Sequence, residues 1–99
     1  MLIRSQDKEI LVNFNVSAGI EITEGTTKTV VTSYITGCSY LLGEYSDKAK
    51  AMKVLDMIQE AYSEYQIMLN FSVSYLHEFK EKTDGFAIFQ MPEDSEVEA

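Results

Sequence analysis

At Ser46 and Asp47 the hydrophobic period of the chain changes, and that switch limits what it can fold into more than any other feature. Before it, apolar residues alternate with polar ones or gather in short β-branched and aromatic runs. After it, Ala51, Val54, Leu55, Ile58, Ala61, Tyr62, Tyr65 and Leu69 recur at intervals of three and four, with Lys50, Lys53, Asp56, Gln59, Glu60, Ser63 and Glu64 between them. Alternation suits a strand with one buried face, and the longer interval suits a helix with one buried stripe. The fold expected is therefore α+β, an antiparallel meander of four to five strands packed on one amphipathic helix, with Ile58 deep in the contact.

The strands can be placed individually. Residues 9–16, EILVNFNV, put Ile10, Val12, Phe14 and Val16 on one alternating face. Gly19 interrupts; Ile20 and Ile22 begin a second strand that ends in a turn at Glu24, Gly25, Thr26 and Thr27. Residues 28–36, KTVVTSYIT, are dense in side chains that pack well on a pleated surface. Residues 39–45 supply the next strand after a tight connection at Gly37 and Cys38, with Gly43 as a bulge. At the helix start, Ser46 is placed to accept a free amide of the first turn. Asp47 complements the positive end of the helix dipole, and Lys48 opposes it.

Beyond Asn70 the pattern is less decisive. In FSVSYLHEFKEK, residues 71–82, Phe71, Tyr75, Leu76 and Phe79 have helical spacing, although Phe71, Val73 and Tyr75 also alternate; a second helix or helix extension is the preferred reading. TDG at 83–85 stops it, FAIFQM at 86–91 forms a short last strand, and Pro92 closes a single domain over residues 1–92. Residues 93–99, EDSEVEA, are expected to form an acidic, flexible, solvated tail that adds little to stability, because Val97 is their one sizeable apolar side chain.

Sixteen acidic residues against eight basic ones leave a net charge of -8 in 99 residues. Sequence-independent binding of DNA or RNA, which needs a basic face, is thereby excluded. The single cysteine, Cys38, rules out an internal disulfide and suits a reducing cytoplasm, and no apolar run approaches the roughly 18 residues of a membrane span. Enzyme chemistry finds few residues to use. His77 is the single histidine, Cys38 has no neighbouring cation in sequence, and no zinc-type spacing, calcium loop or glycine-rich phosphate loop is present. No metal or cofactor is expected.

Two features could bind something. The helix start carries Lys48, Lys50 and Lys53 beside free amides, a weak anion site for which a solvated helix face is the preferred reading. Six tyrosines offer apolar bodies with polar tips, with Tyr62 and Tyr65 assigned to core packing. The candidate ligand or partner residues are Arg4, Tyr45, Lys48, Lys50, Lys53, Tyr75 and Glu78.

Three blocks carry a resemblance: IRSQDKEIL from Ile3, LLGEYSDKAKAMKVLDMIQEAY from Leu41 and FQMPED from Phe89. Together they resemble a family of small uncharacterised proteins in phages and prophages of low-GC Gram-positive bacteria; residues 63–84 depart from its shorter members. The resemblance carries no catalytic residues and implies a setting instead of a reaction. It points to a stoichiometric inhibitor of a bacterial defence protein, such as a CRISPR effector, with the acidic surface opposed to a basic channel. The alternatives are an oligomer that sequesters a nucleotide immune signal between tyrosines and bases such as Arg4 and Lys48, or a phage accessory protein of housekeeping role. A symmetric homo-oligomer is compatible with each.

If neither Cys38 nor His77 does chemistry, Cys38→Ser and His77→Ala will match the parent in a phage infection assay. Loss of function in a variant whose circular dichroism is unchanged would contradict the non-enzymatic reading.

Overall fold

The computed structural model describes residues 1–70 and 88–98. In chain order the elements are β1 (Leu2–Arg4), β2 (Leu11–Asn13), a 3₁₀ turn (Phe14–Val16), β3 (Gly19–Glu24), β4 (Thr29–Ile35), β5 (Cys38–Tyr45), α1 (Lys48–Asn70), β6 (Ile88–Gln90) and a second 3₁₀ turn (Asp94–Glu96). The fold is α+β, with the long helix packed on antiparallel strands as the change of period requires. The strands divide into two three-stranded sheets, β3-β4-β5 and β2-β1-β6. The first holds three strands of the expected meander; the second takes the strand expected at its start, β2, and pairs β1 antiparallel to β2 and parallel to β6.

The meander follows from its side chains. Thr29, Val31 and Ser33 of β4 are buried against α1, and their partners Tyr45 and Gly43 on β5 lie on the same face. The register slips between Val31 and Thr32, whose partners are Gly43 and Leu41, so Leu42 is the extra residue and the bulge sits beside the expected glycine. A Cβ on Gly43 would lie 3.0 Å from the ring of Tyr45, so the close approach of that ring excludes a side chain there. Gly37 turns the β4–β5 hairpin at a φ of 77°, a left-handed conformation that glycine adopts without steric cost.

Three expectations are corrected. Residues 9–16 do not run on as one strand: the Asn13 carboxamide accepts the Asn15 amide at 2.9 Å and caps a 3₁₀ turn, which ends the alternation and leaves Val16 59% exposed. The helix cap is Asp47, whose carboxylate accepts the Lys50 amide at 2.8 Å, while the Ser46 amide donates to Asp94. Residues 93–98 are not a solvated tail. Val97 is 4% exposed within the core, and Asp94, which starts the 3₁₀ turn, ties back to the start of α1. The second helix expected over 71–82 lies outside the described residues. No helix among the described residues is long and apolar enough to cross a membrane.

The core joins both sheets to the helix through Ile3, Val31, Leu42, Tyr45, Val54 and Met91, each at most 1% exposed. Ile58 is 3% exposed, with Leu55 and Tyr62 half-buried beside it. Ile58→Ala removes three methyl or methylene carbons from this contact and should cost about 2–5 kcal/mol. Thermal unfolding would register that as a fall of at least about 8 °C for a domain of this size; a smaller shift would place Ile58 outside the cooperative core.

Candidate interaction surface

The cations singled out in the sequence do not converge on an anion site. The protein's own carboxylates already occupy this corner: Asp47 accepts the Lys50 amide in the first turn of α1, and Asp94 Oδ1 accepts the Ser46 amide just before the helix at 2.8 Å. Lys50 Nζ donates to the Asp94 carbonyl at 3.0 Å and lies 3.5 Å from Asp94 Oδ2. Lys48 lies 3.4 Å from Glu24 in an exposed pair, and Arg4 Nε donates to the Lys8 carbonyl at 3.0 Å inside the β1–β2 turn. Lys53 is exposed on α1. Tyr75 and Glu78 lie outside the described residues. Of the expected set, Tyr45 and Lys50 meet on the segment that contains Pro92 and Asp94.

Tyr45 anchors that corner from within. Its ring is buried, and its hydroxyl donates to the Pro92 carbonyl at 2.8 Å. Burial, reinforced by the carboxylates of Glu93, Asp94 and Glu96, pushes the phenol well above its ordinary value of 10.0, so it stays protonated as a donor. The adjoining polar cavity, about 320 Å³, is lined by Gln6, Lys28, Glu44, Tyr45, Glu93 and Asp94 among others. Lys28, its one lysine, is paired with Glu44 at 3.1 Å. An anionic nucleotide there would face three carboxylates.

The charge that remains outward is negative. Asp56, Glu60 and Glu64 are exposed on α1 at four-residue intervals, which sets them along one face. The ion pairs among the described residues occupy Lys28, Lys48 and Lys50, and none involves these three acids. Like charges four residues apart disfavour a helix by about 0.2–0.5 kcal/mol per pair, a cost that an opposing basic surface would remove. Among the described residues no cluster of three or more His, Cys, Asp or Glu side chains could hold a metal ion.

A second surface escaped the sequence reading. Phe14, carried inward by the 3₁₀ turn, meets Tyr62 with ring centroids 4.7 Å apart at 48°, and together they wall an apolar groove of about 370 Å³ between β3 and α1. The available signal was Asn13, whose short polar side chain favours a local cap over a strand. No protein-family model matches the chain, and neither a curated protein nor a solved structure matches it.

The Asp94 tie has a pH signature. The Ser46 amide, assisted by Lys50, holds the Asp94 carboxyl below its ordinary value of 3.8. A carboxyl depressed in the folded state stabilises it above that ordinary value, and the contribution is lost as pH falls below it. Asp94→Asn keeps an acceptor for Ser46 but cannot titrate, so its stability should fall less steeply than the parent's between about pH 4 and pH 2. Asp7, depressed by the Ser5 hydroxyl and the Glu9 amide, leaves a residual slope in both proteins. Equal acid slopes in chemical unfolding would remove Asp94 from the account.

Proposed function

We propose that the protein is a non-enzymatic phage binding domain that works in the host cytoplasm, inhibiting a bacterial defence protein by stoichiometric contact with a basic surface such as a nucleic-acid channel. The observation that carries this reading is the disposition of charge: the net charge is -8, and the carboxylates of Asp56, Glu60 and Glu64 form an outward row on α1. The resemblance of its three sequence blocks to small phage proteins supports the setting. Sequestration of a nucleotide signal is the weaker reading, because Lys48 and Lys50 are paired to carboxylates and the cavity at Tyr45 is itself acidic.

Two measurements test it. The protein is expressed in hosts carrying defined defence systems, and phage plating is scored. It is also purified from infected cells for native mass spectrometry and for pull-down of a tagged copy. Restored plating against one system, with that system's effector recovered in fixed stoichiometry, is the expected result. A retained nucleotide without a protein partner would replace inhibition by sequestration.

Charge steering makes a sharper prediction for the recovered effector. The triple variant Asp56→Asn, Glu60→Gln, Glu64→Gln raises the net charge of -8 by three units without touching a buried contact. Its association rate should fall and become less sensitive to salt, with dissociation little changed, because exposed charges act chiefly on encounter. An association rate equal to the parent's at both low and high salt would leave shape alone to explain recognition.

A further inference from the structure

We propose that the free edge of β3 and the apolar groove beside it form one docking site for an extended segment of a partner protein, in which apolar residues alternate with lysine or arginine. The inference rests on the binding reading above and names the surface and the chemistry of the segment it takes.

β3 is the outer strand of its sheet, and the hydrogen-bonding parity of the β3–β4 hairpin decides which backbone groups it leaves free. The Gly25 amide donates to the Lys28 carbonyl at 2.8 Å, and bonded and non-bonded pairs alternate from there along an antiparallel ladder. Thr23 and Glu21 therefore direct their backbone groups to β4, whereas Ile20, Ile22 and Glu24 turn theirs outward. Among the described residues no backbone or side-chain group bonds these outward amides and carbonyls. At the opposite edge of the same sheet Gln6 occupies Leu42 and Glu44 of β5 through its own amide and its carboxamide. The edges of the second sheet, β2 and β6, are three residues long, half the length of β3.

The groove lies where an added strand would set its side chains. Gly19 and Ile20, at the start of β3, line one side of it, and Leu55, Ile58 and Tyr62 of α1 line the other. Residues directly opposite one another across a ladder share a face. A partner residue opposite Ile20 or Ile22 would project toward α1 and the groove, and one opposite Glu21 would project to the outer face. Addition of a strand supplies affinity through main-chain bonds and specificity through pockets for every second side chain.

Charge selects the occupant. Native proteins protect exposed edges with charged side chains, and β3 carries Glu21 and Glu24. A second copy of this chain would bring the same carboxylates and a further net charge of -8 to the edge, which disfavours pairing of β3 with itself. A segment with Lys or Arg opposite Glu21 meets a carboxylate with no ion-pair partner among the described residues, and one opposite Glu24 shares its carboxylate with Lys48. Read antiparallel to β3 from Glu24 to Ile20, the matching segment is basic, any residue, apolar, basic, apolar.

The test uses the whole protein and the fluorescein-labelled peptide Lys-Thr-Val-Lys-Val, with binding followed by anisotropy. Saturable binding is expected, weakened about tenfold or more when both valines are N-methylated, since those amides face β3, and unchanged when the threonine and second lysine are N-methylated instead. Replacing both lysines by glutamate should abolish binding, and Glu21→Lys should weaken the parent peptide while admitting the glutamate one. Equal effects from both N-methylation patterns, or no binding, would overturn the edge proposal. A concentration-dependent dimer that excludes the peptide would also overturn it, assigning the edge to a second copy. If the effector is recovered and inhibited while the peptide fails, the edge proposal falls and the inhibitor reading stands. If the peptide binds with the expected pattern while no effector is recovered, the reverse holds.

Discussion

The side chain of Gln6 joins parts of the structure that share no ladder. Its Oε1 accepts the Glu44 amide at 2.9 Å, and its Nε2 donates to the carbonyls of Glu44 and Pro92 at 3.1 and 3.2 Å. Its own amide donates to the Leu42 carbonyl at 2.7 Å. A carboxamide has the donor and acceptor of a peptide group, so Gln6 acts along β5 as a short strand would and links the β1–β2 hairpin to the edge of the larger sheet. The Pro92 carbonyl takes a further bond from Tyr45, so both sheets and the C-terminal segment converge on a few shared acceptors. No buried side-chain nitrogen or oxygen among the described residues lacks a partner. Gln6 interrupts the β5 edge at Leu42 and Glu44, whereas the outward groups of β3 have no partner among the described residues.

The parts of the fold that were legible in the sequence are those set by local pattern. The β-branched run over β4, the alternation of Ile20 and Ile22 and the apolar stripe from Ala51 to Tyr62 gave the meander, the helix and the burial of Ile58. The parts that were not legible depend on partners distant in sequence. β1 is three residues long beside charged neighbours, and it is a strand because β2 and β6 pair on either side of it. The carboxylates of residues 93–98 hid the burial of Val97, which follows from Asp94 reaching the start of α1. The site was less legible still. Lysines near a helix start suggested an anion, yet Asp47 and Asp94 set the protein's own carboxylates at that corner, and the groove depends on a turn at Asn13 that the alternation of neighbouring residues concealed.

These arrangements separate two roles for acidic residues in a small, strongly charged domain. Asp94 and Asp47 are structural: each meets backbone amides, where a carboxylate has favourable geometry and a favourable field. Asp56, Glu60 and Glu64 have no such backbone role and work against the helix that carries them. Glu21 and Glu24 stand between the two groups on the edge strand β3, Glu24 beside Lys48 and Glu21 with no ion pair among the described residues. On the binding reading proposed above, the sign of the surface would filter partners before any side chain is packed.

The parallel pairing of β1 with β6 has a consequence for how the chain reaches this state. Leu2 lies opposite Ile88, and Gln6 bonds a carbonyl 86 positions away, whereas the hairpins and α1 close over short stretches. Closing a long loop spends chain entropy before its contacts repay any of it, so the pairing of β1 with β6 is a costlier closure than either hairpin of the meander. Without β6, Ile3, which lies between Val12 and Phe89 in the sheet, keeps a neighbour on one side alone. A copy lacking Ile88–Gln90 would lose the strand that fastens β1 to the segment of Pro92 and Asp94, and the smaller sheet would shrink to the β1–β2 hairpin.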